Sequence, residues 1–320
     1  MNWKPIAFVS MLVTAAIAQA GNPVITDVFT ADPAALVAGD TVYVYAGQDE
    51  AKPNQGYTMR KWVCYSTTDM KTWKSEGSPL AVKDFAWAKA DAWASQVIEK
   101  GGKYYWYVTV QHDDTQKGKA IGVAVADKPE GPYKDAIGKA LVTNQMTPKG
   151  KIGWEDIDPT VFTDADGSTY LFWGNTSCYY AKLKDNMVEI DGEIHDVEVP
   201  KYTEAPYVHK RGDLYYLSYA SGFPEKIAYA TSDKIAGPWT YRGIVAEGAA
   251  NSNTIHQSII EFKGQWYFVY HNGMVQAPNT GGSFRRSVCV DYLYYNPDGT
   301  MKRVAQTTEG TDLPPEKTEK

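Results

Sequence analysis

Through most of the chain, apolar and polar residues alternate over five to eight positions and break at Gly, Asp, Asn or Pro, while helical periodicity is scarce. This is the pattern of strands joined by turns. Five times an aromatic-rich strand follows a small turn: GDTVYVYAG from Gly39, GGKYYWYVTV from Gly101, DGSTYLFWGN from Asp166, GDLYYLSYA from Gly212 and KGQWYFVYHN from Lys263. Upstream of each lies a short polar island, namely Ala31-Asp32-Pro33, Ala94-Ser95-Gln96, Ile157-Asp158-Pro159, Glu204-Ala205-Pro206 and Ile255-His256-Gln257. A second repeat ends its strand on Asp and places an aromatic a few residues later: Val63–Asp69 with Trp73, Ile121–Asp127 with Tyr133, and Ile227–Asp233 with Trp239. Successive aromatic strands are about 45 to 65 residues apart, the length of a four-stranded propeller blade. WD and kelch signatures are absent, and five blades use up the available length. The pattern predicts an all-β, single-domain, five-bladed β-propeller over residues 21–306. The polar, Pro-containing stretch 307–320 is expected to be a frayed C-terminal tail.

Residues 1–20 read differently. Lys4, the apolar run Ile6–Ala18 and the small residues of Ala18-Gln19-Ala20 have the layout of a secretory signal peptide. The run is too short for a spanning helix, which needs about 20 apolar residues. A secreted or periplasmic protein is therefore expected. The formal charge is −6 and no Lys/Arg block occurs, which argues against nucleic acid or an anionic membrane as partner. Aromatics make up 13% of the chain, an excess that suits both strands and sugar-stacking sites. Cys64, Cys178 and Cys289 are odd in number and widely spread, so they read as small apolar strand residues rather than disulfide partners or zinc ligands.

Equivalent strands of a propeller stand side by side around an axis, so the five islands should converge. Three of them carry a carboxylate: Asp32, Asp158 and Glu204. A lone Asp-Pro is usually a turn, but three carboxylates at corresponding places in three blades point to acid–base chemistry.

These islands, with Asn22-Pro23-Val24, Trp93-Ala94, Trp173-Gly174-Asn175, Asn253–Gln257 and Arg285-Arg286-Ser287-Val288, resemble glycoside hydrolase family 43 in order along the whole mature chain. The resemblance implies a five-bladed propeller of inverting enzymes that act on arabinose- and xylose-containing polysaccharides. It implies Asp32 as general base, Glu204 as general acid, and Asp158 as the carboxylate that orients the acid and raises its pKa. Inversion asks for carboxyls about 6.5–9.5 Å apart, with room for a water, and retention for about 5 Å. The resemblance also makes His256 the single protein ligand of a calcium ion in the central channel, against the plain reading of a structural histidine. Arg286 is expected to bind sugar, since alternation turns Arg285 to the other face. Trp93 is either a stacking platform or a core residue, and Phe29, Trp173 and Asn175 are further pocket candidates. The family commonly has Pro and an acid after Trp-Ala. Ser95 and Gln96 stand there instead, so substrate preference is expected to diverge at Gln96.

The expected activity is release of terminal β-D-xylosyl or α-L-arabinofuranosyl units from xylo- or arabino-oligosaccharides, with no organic cofactor. An α-1,5-arabinanase and a non-catalytic sugar-binding propeller are the alternatives. The motifs of sucrose- and fructan-cleaving propellers are absent.

Overall fold

A computed structural model describes residues 21–147, 152–275 and 280–316. The expected signal peptide lies outside the described residues. The chain forms five antiparallel sheets in sequence order. Blade 1 comprises β1 (Phe29–Ala38), β2 (Thr41–Asp49), β3 (Lys61–Thr67) and β4 (Lys74–Ala81). Blade 2 holds β5 (Ala88–Ala90), β6 (Ser95–Lys100), β7 (Lys103–His112), β8 (Lys119–Ala126), β9 (Lys134–Asp135) and β10 (Val142–Thr143). Blade 3 has β11 (Thr160–Thr163), β12 (Thr169–Trp173), β13 (Cys178–Leu183) and β14 (Ile190–Val197). Blade 4 is β15 (Tyr202–Arg211), β16 (Leu214–Ser221), β17 (Lys226–Ser232) and β18 (Thr240–Ala246). Blade 5 is β19 (Ser258–Phe262), β20 (Gln265–Asn272) and β21 (Ser287–Leu293).

The strands β1, β6, β11, β15 and β19 touch in a closed ring, each packing on the next and β19 returning to β1. They are the inner strands, and the polar islands lie at or just before their starts, as the repeat predicts. The aromatic runs are the second strands, β2, β7, β12, β16 and β20. Each is sandwiched between two neighbouring blades, so both its faces must be apolar. Alternation divides them: Trp106 faces the core shared with blade 1 and Tyr107 the core shared with blade 3, while in blade 4 Tyr216 faces the core shared with blade 5 and Leu217 the core shared with blade 3. The hydrophobic core is thus five clusters, one per blade–blade interface. All three cysteines are buried in it and unpaired.

Polar side chains stitch the inner ring. Gln96 Oε1 accepts from Thr160 Oγ1 (2.5 Å) and the Val161 N–H (3.2 Å), joining blades 2 and 3. Gln257 Nε2 donates to the Ala205 carbonyl and to Ser218 Oγ, both at 3.0 Å, joining blades 5 and 4. The Ala35 N–H donates to Ser258 Oγ (3.0 Å), tying blade 1 to blade 5.

The N-terminal end closes the ring. The Val24 N–H donates to the Val288 carbonyl (2.8 Å) and Asn22 Oδ1 accepts from the Val290 N–H (2.8 Å), so residues 22–24 lie beside β21 and complete the three-stranded blade. The stretch expected to fray is tied down at its start. Thr307 Oγ1 donates to Asp291 Oδ1 (2.6 Å), and Thr311 is buried with its hydroxyl donating to the Met70 carbonyl (2.6 Å). Composition alone does not reveal that these threonines have buried acceptors to reach.

Candidate active site

Three islands share one backbone device. Asp32, Asp158 and Ala205 each precede a proline and each has a left-handed φ, of 53°, 59° and 54°. A residue before proline favours extended backbone, and the left-handed region costs an L-residue roughly 1–2 kcal/mol. The register of β1 shifts between Ala31 and Ala34, and that of β15 between Glu204 and Tyr207. Such bulges re-aim side chains. Ala205, not Glu204, occupies the position that Asp32 and Asp158 hold in their blades. Glu204 stands one residue earlier, so the three carboxylates are not strictly equivalent.

They nevertheless meet in one cavity of about 340 Å³, which all three line together with His256, Arg286, Trp93 and Asn175. Its two sides differ. On the blade 1 and blade 5 side, Arg286 Nη1 donates to Asp32 Oδ1 (3.0 Å). The same guanidinium grips Asp49 through Nε (2.9 Å) and Nη2 (3.0 Å), and the Arg286 backbone N–H adds a third bond to Asp49 (2.9 Å). Arg286 and Asp49 are both buried. Burial alone would disfavour the guanidinium charge, but Asp32 and Asp49 outweigh it and hold the arginine protonated. The Asp32 N–H donates to His271 Nδ1 (3.1 Å), while His271 Nε2 donates to the Thr254 carbonyl (3.0 Å). This pattern fixes the neutral Nε2–H tautomer. Burial, Arg286 and His256 all push its pKa well down.

On the blade 3 and blade 4 side no cation among the described residues contacts the carboxyls. Asn175 Nδ2 donates to Glu204 Oε2 (2.5 Å). Asp158 Oδ2 accepts the Ala205 N–H (3.0 Å), and its own N–H donates to Thr109 Oγ1 (2.9 Å). Burial raises the Glu204 pKa and the charge of Asp32 adds to the rise, against hydrogen bonds from Glu225 and Asn175. Asp158 is pushed well up by burial first, then by Glu204 and Asp32.

Of the other sequence candidates, Phe29 and Trp173 do not line the cavity. Trp173 is fully buried; it shares the parity of Leu171, faces the core between blades 2 and 3, and donates its indole N–H to Asp156 Oδ1 (3.0 Å). Phe29 is a rung of the sheet opposite Asp49, and Tyr57 and Met59 form the cavity wall from blade 1. Trp93 has Lys119 Nζ 3.6 Å from its ring centroid, so one face is already covered. Gln96 is absent from the cavity, because its amide is committed to the blade 2–3 stitch. The expected divergence of substrate contacts at that residue is therefore corrected.

Sequence reading missed Tyr57, Trp154, Phe223, Glu225 and Thr254, which line the cavity, and Asp49 and His271, which lie behind it. The one available signal was Glu225, a carboxylate directly ahead of the apolar run of β17.

The donor set bears on calcium. A calcium ion takes roughly six to eight oxygen ligands. Among the described residues no three His, Cys, Asp or Glu side chains converge to hold a metal. His256 lines the cavity with Nδ1 4.0 Å from Asp32 Oδ1, and its pKa is lowered by burial, Asp32 opposing. The residues do not fit a protein-built calcium cage; His256 offers one nitrogen, and water would have to supply the rest of the shell.

A sequence model of glycosyl hydrolases family 43 matches residues 20–301. A xylosidase/arabinosidase of Bacteroides ovatus is 30% identical, over 89% of this chain and 96% of its own. Among solved structures, a family 43 β-xylosidase/α-arabinofuranosidase from a compost microbial metagenome, in calcium-free form with xylotriose, has a TM-score of 0.78 at 28% identity and covers 89% of this chain and 97% of its own. An α-L-arabinofuranosidase of Clostridium thermocellum is 35% identical with a TM-score of 0.73, over the same 89% and 97%.

Proposed function

The chain belongs to glycosyl hydrolases family 43, and we propose that it removes terminal β-D-xylosyl or α-L-arabinofuranosyl units from hemicellulose-derived oligosaccharides, with inversion. The observation that carries this reading is the division of one small cavity between an ion-paired aspartate and a desolvated glutamate. Similarity to a xylosidase/arabinosidase and to an arabinofuranosidase supports the choice of pentoses.

In this reading Asp32 is the general base. It accepts a proton from water as the water oxygen attacks the anomeric carbon. Glu204, kept protonated by its surroundings, gives its proton to the glycosidic oxygen as the C–O bond breaks. The products are a free pentose of opposite anomeric configuration and the shortened oligosaccharide. The enzyme is left with Asp32 protonated and Glu204 ionised, and both reset by exchange with solvent. Asp158 holds the Ala205 N–H beside the acid and thereby fixes the Glu204 backbone. Arg286 anchors Asp32, and His271 anchors its backbone. The N-terminal leader motif supports export to the periplasm or medium.

The test is a hydrolysis screen on aryl β-xyloside, aryl α-L-arabinofuranoside, xylo-oligosaccharides and arabinan, with and without chelator. Free pentose from an aryl glycoside and from oligosaccharide ends is expected. Release of oligosaccharides alone from arabinan would support the arabinanase alternative. Absence of any product would leave a sugar-binding propeller.

A further inference from the structure

Glu225 lies where β16 passes into β17 and lines the same cavity, yet the residue is 3% exposed. Its position is fixed from two directions. Its N–H donates to the Asn253 carbonyl (3.0 Å), and its Oε2 accepts the Ile255 N–H (3.0 Å). The carboxyls of Glu225 and Glu204 line the same cavity and come within hydrogen-bonding reach of each other. Two carboxylates are both acceptors only, so such a bond requires a proton on one of them. Oε2 of Glu225 accepts a backbone N–H, which fixes the carboxyl while leaving it able to carry a proton toward Glu204. Among the described residues no cation contacts this pair, since Arg286 is committed to Asp32 and Asp49. Asp158, a third carboxyl close by, also disfavours negative charge there.

We propose that Glu225 stays protonated through the catalytic cycle and donates a hydrogen bond to Glu204, stabilising the carboxylate that Glu204 becomes as its proton passes to the leaving oxygen. Asn175 donates to Glu204 Oε2, so the nascent carboxylate has two donors in place before charge develops. Burial, with the Glu204 charge adding, pushes the Glu225 carboxyl up to about 11, which agrees with a group that is neutral at working pH. Glu225 acts through Glu204 and is a positioning residue. The proposal rests on the reading of Glu204 as the acid.

Two variants and two substrates separate the possibilities. Glu225→Gln keeps an acceptor for Ile255 and an N–H donor for Glu204, so it reproduces the protonated acid. Glu225→Met keeps the bulk and loses the donor. Oligosaccharides need their leaving oxygen protonated, whereas a dinitrophenyl glycoside does not. Expected are activity within about threefold of wild type on both substrates for Glu225→Gln, and for Glu225→Met a loss of about 10–100-fold in kcat on oligosaccharides with little loss on the dinitrophenyl glycoside. Loss of both substrates alike in Glu225→Met, or a loss in Glu225→Gln as large as in Glu225→Met, would overturn the proposal. If Glu225→Met fails to fold, Glu225→Gln alone decides: near-normal oligosaccharide activity supports the protonated donor, and a fall beyond about 30-fold rejects it. Glu204→Ala is the control. Equal loss on both substrates there would remove the acid assignment itself, whereas a split there without one in Glu225→Met would remove only the role of Glu225.

Discussion

The two sides of the cavity use the same functional group in opposite settings. On one side Asp32 is paired with a buried arginine that is itself neutralised by Asp49, and a neutral histidine holds its backbone. On the other, Asp158, Glu204 and Glu225 crowd together with amide and backbone donors and, among the described residues, no cation in contact. Carboxyls differ little intrinsically, with reference pKa values of about 3.9 and 4.3. In the proposed mechanism the neighbours decide which carboxyl takes a proton and which gives one.

The largest expected disruption is on the ion-paired side. Asp32→Ala should lower kcat by about 10²–10⁴-fold whatever the leaving group, because water activation is lost. Equal activity on any substrate would show that the base lies elsewhere. Arg286→Met should leave the buried Asp49 and the half-buried Asp32 without their counter-ion and cost about 3–5 kcal/mol of stability, read by denaturant unfolding. A change below about 1 kcal/mol would mean that the carboxylates are neutralised by something other than Arg286.

On the cation-free side the sign of the pH effect is fixed. In the proposed mechanism the acid works protonated, and burial raises the Glu204 pKa. Activity should therefore be present below that raised pKa and be lost as pH rises through it. The alkaline limb of kcat/KM should lie above the ordinary Glu value of about 4.3. Asn175→Ala removes a hydrogen bond that favours the ionised form, so the limb should move further up while kcat falls about 10-fold. A downward shift would break the comparison.

The smallest catalytic effect is expected away from both sides. Gln96→Leu should cost about 1–3 kcal/mol of stability and leave the ratio of xyloside to arabinofuranoside activity unchanged, because this amide serves the blade 2–3 seam. A changed ratio measured on the two aryl glycosides would restore Gln96 to a part in substrate recognition.

The repeated features were readable from the chain. Five aromatic strands and five islands recur, and repetition announces both blade count and the convergence of Asp32, Asp158 and Glu204. What escaped notice acts once, across long sequence distances. Asp49 is 237 residues from Arg286 and His271 is 239 from Asp32, and no local spacing links either pair. Gln96 looked like a departure within an island, but the geometry of the inner ring sends its amide to the next blade. Trp173 looked like a pocket aromatic beside Asn175, yet strand parity commits it to the core. The one-residue offset of Glu204 against Ala205 was visible in sequence, and its meaning required the left-handed backbone at Ala205.

The most direct measurement is the configuration of the first sugar released by the wild-type protein, followed by proton NMR before mutarotation. A base and an acid on opposite sides of one cavity, with water between base and sugar, predict that a β-xyloside yields α-xylose first. Initial release of β-xylose would contradict it, because retention needs a carboxylate that bonds to the sugar.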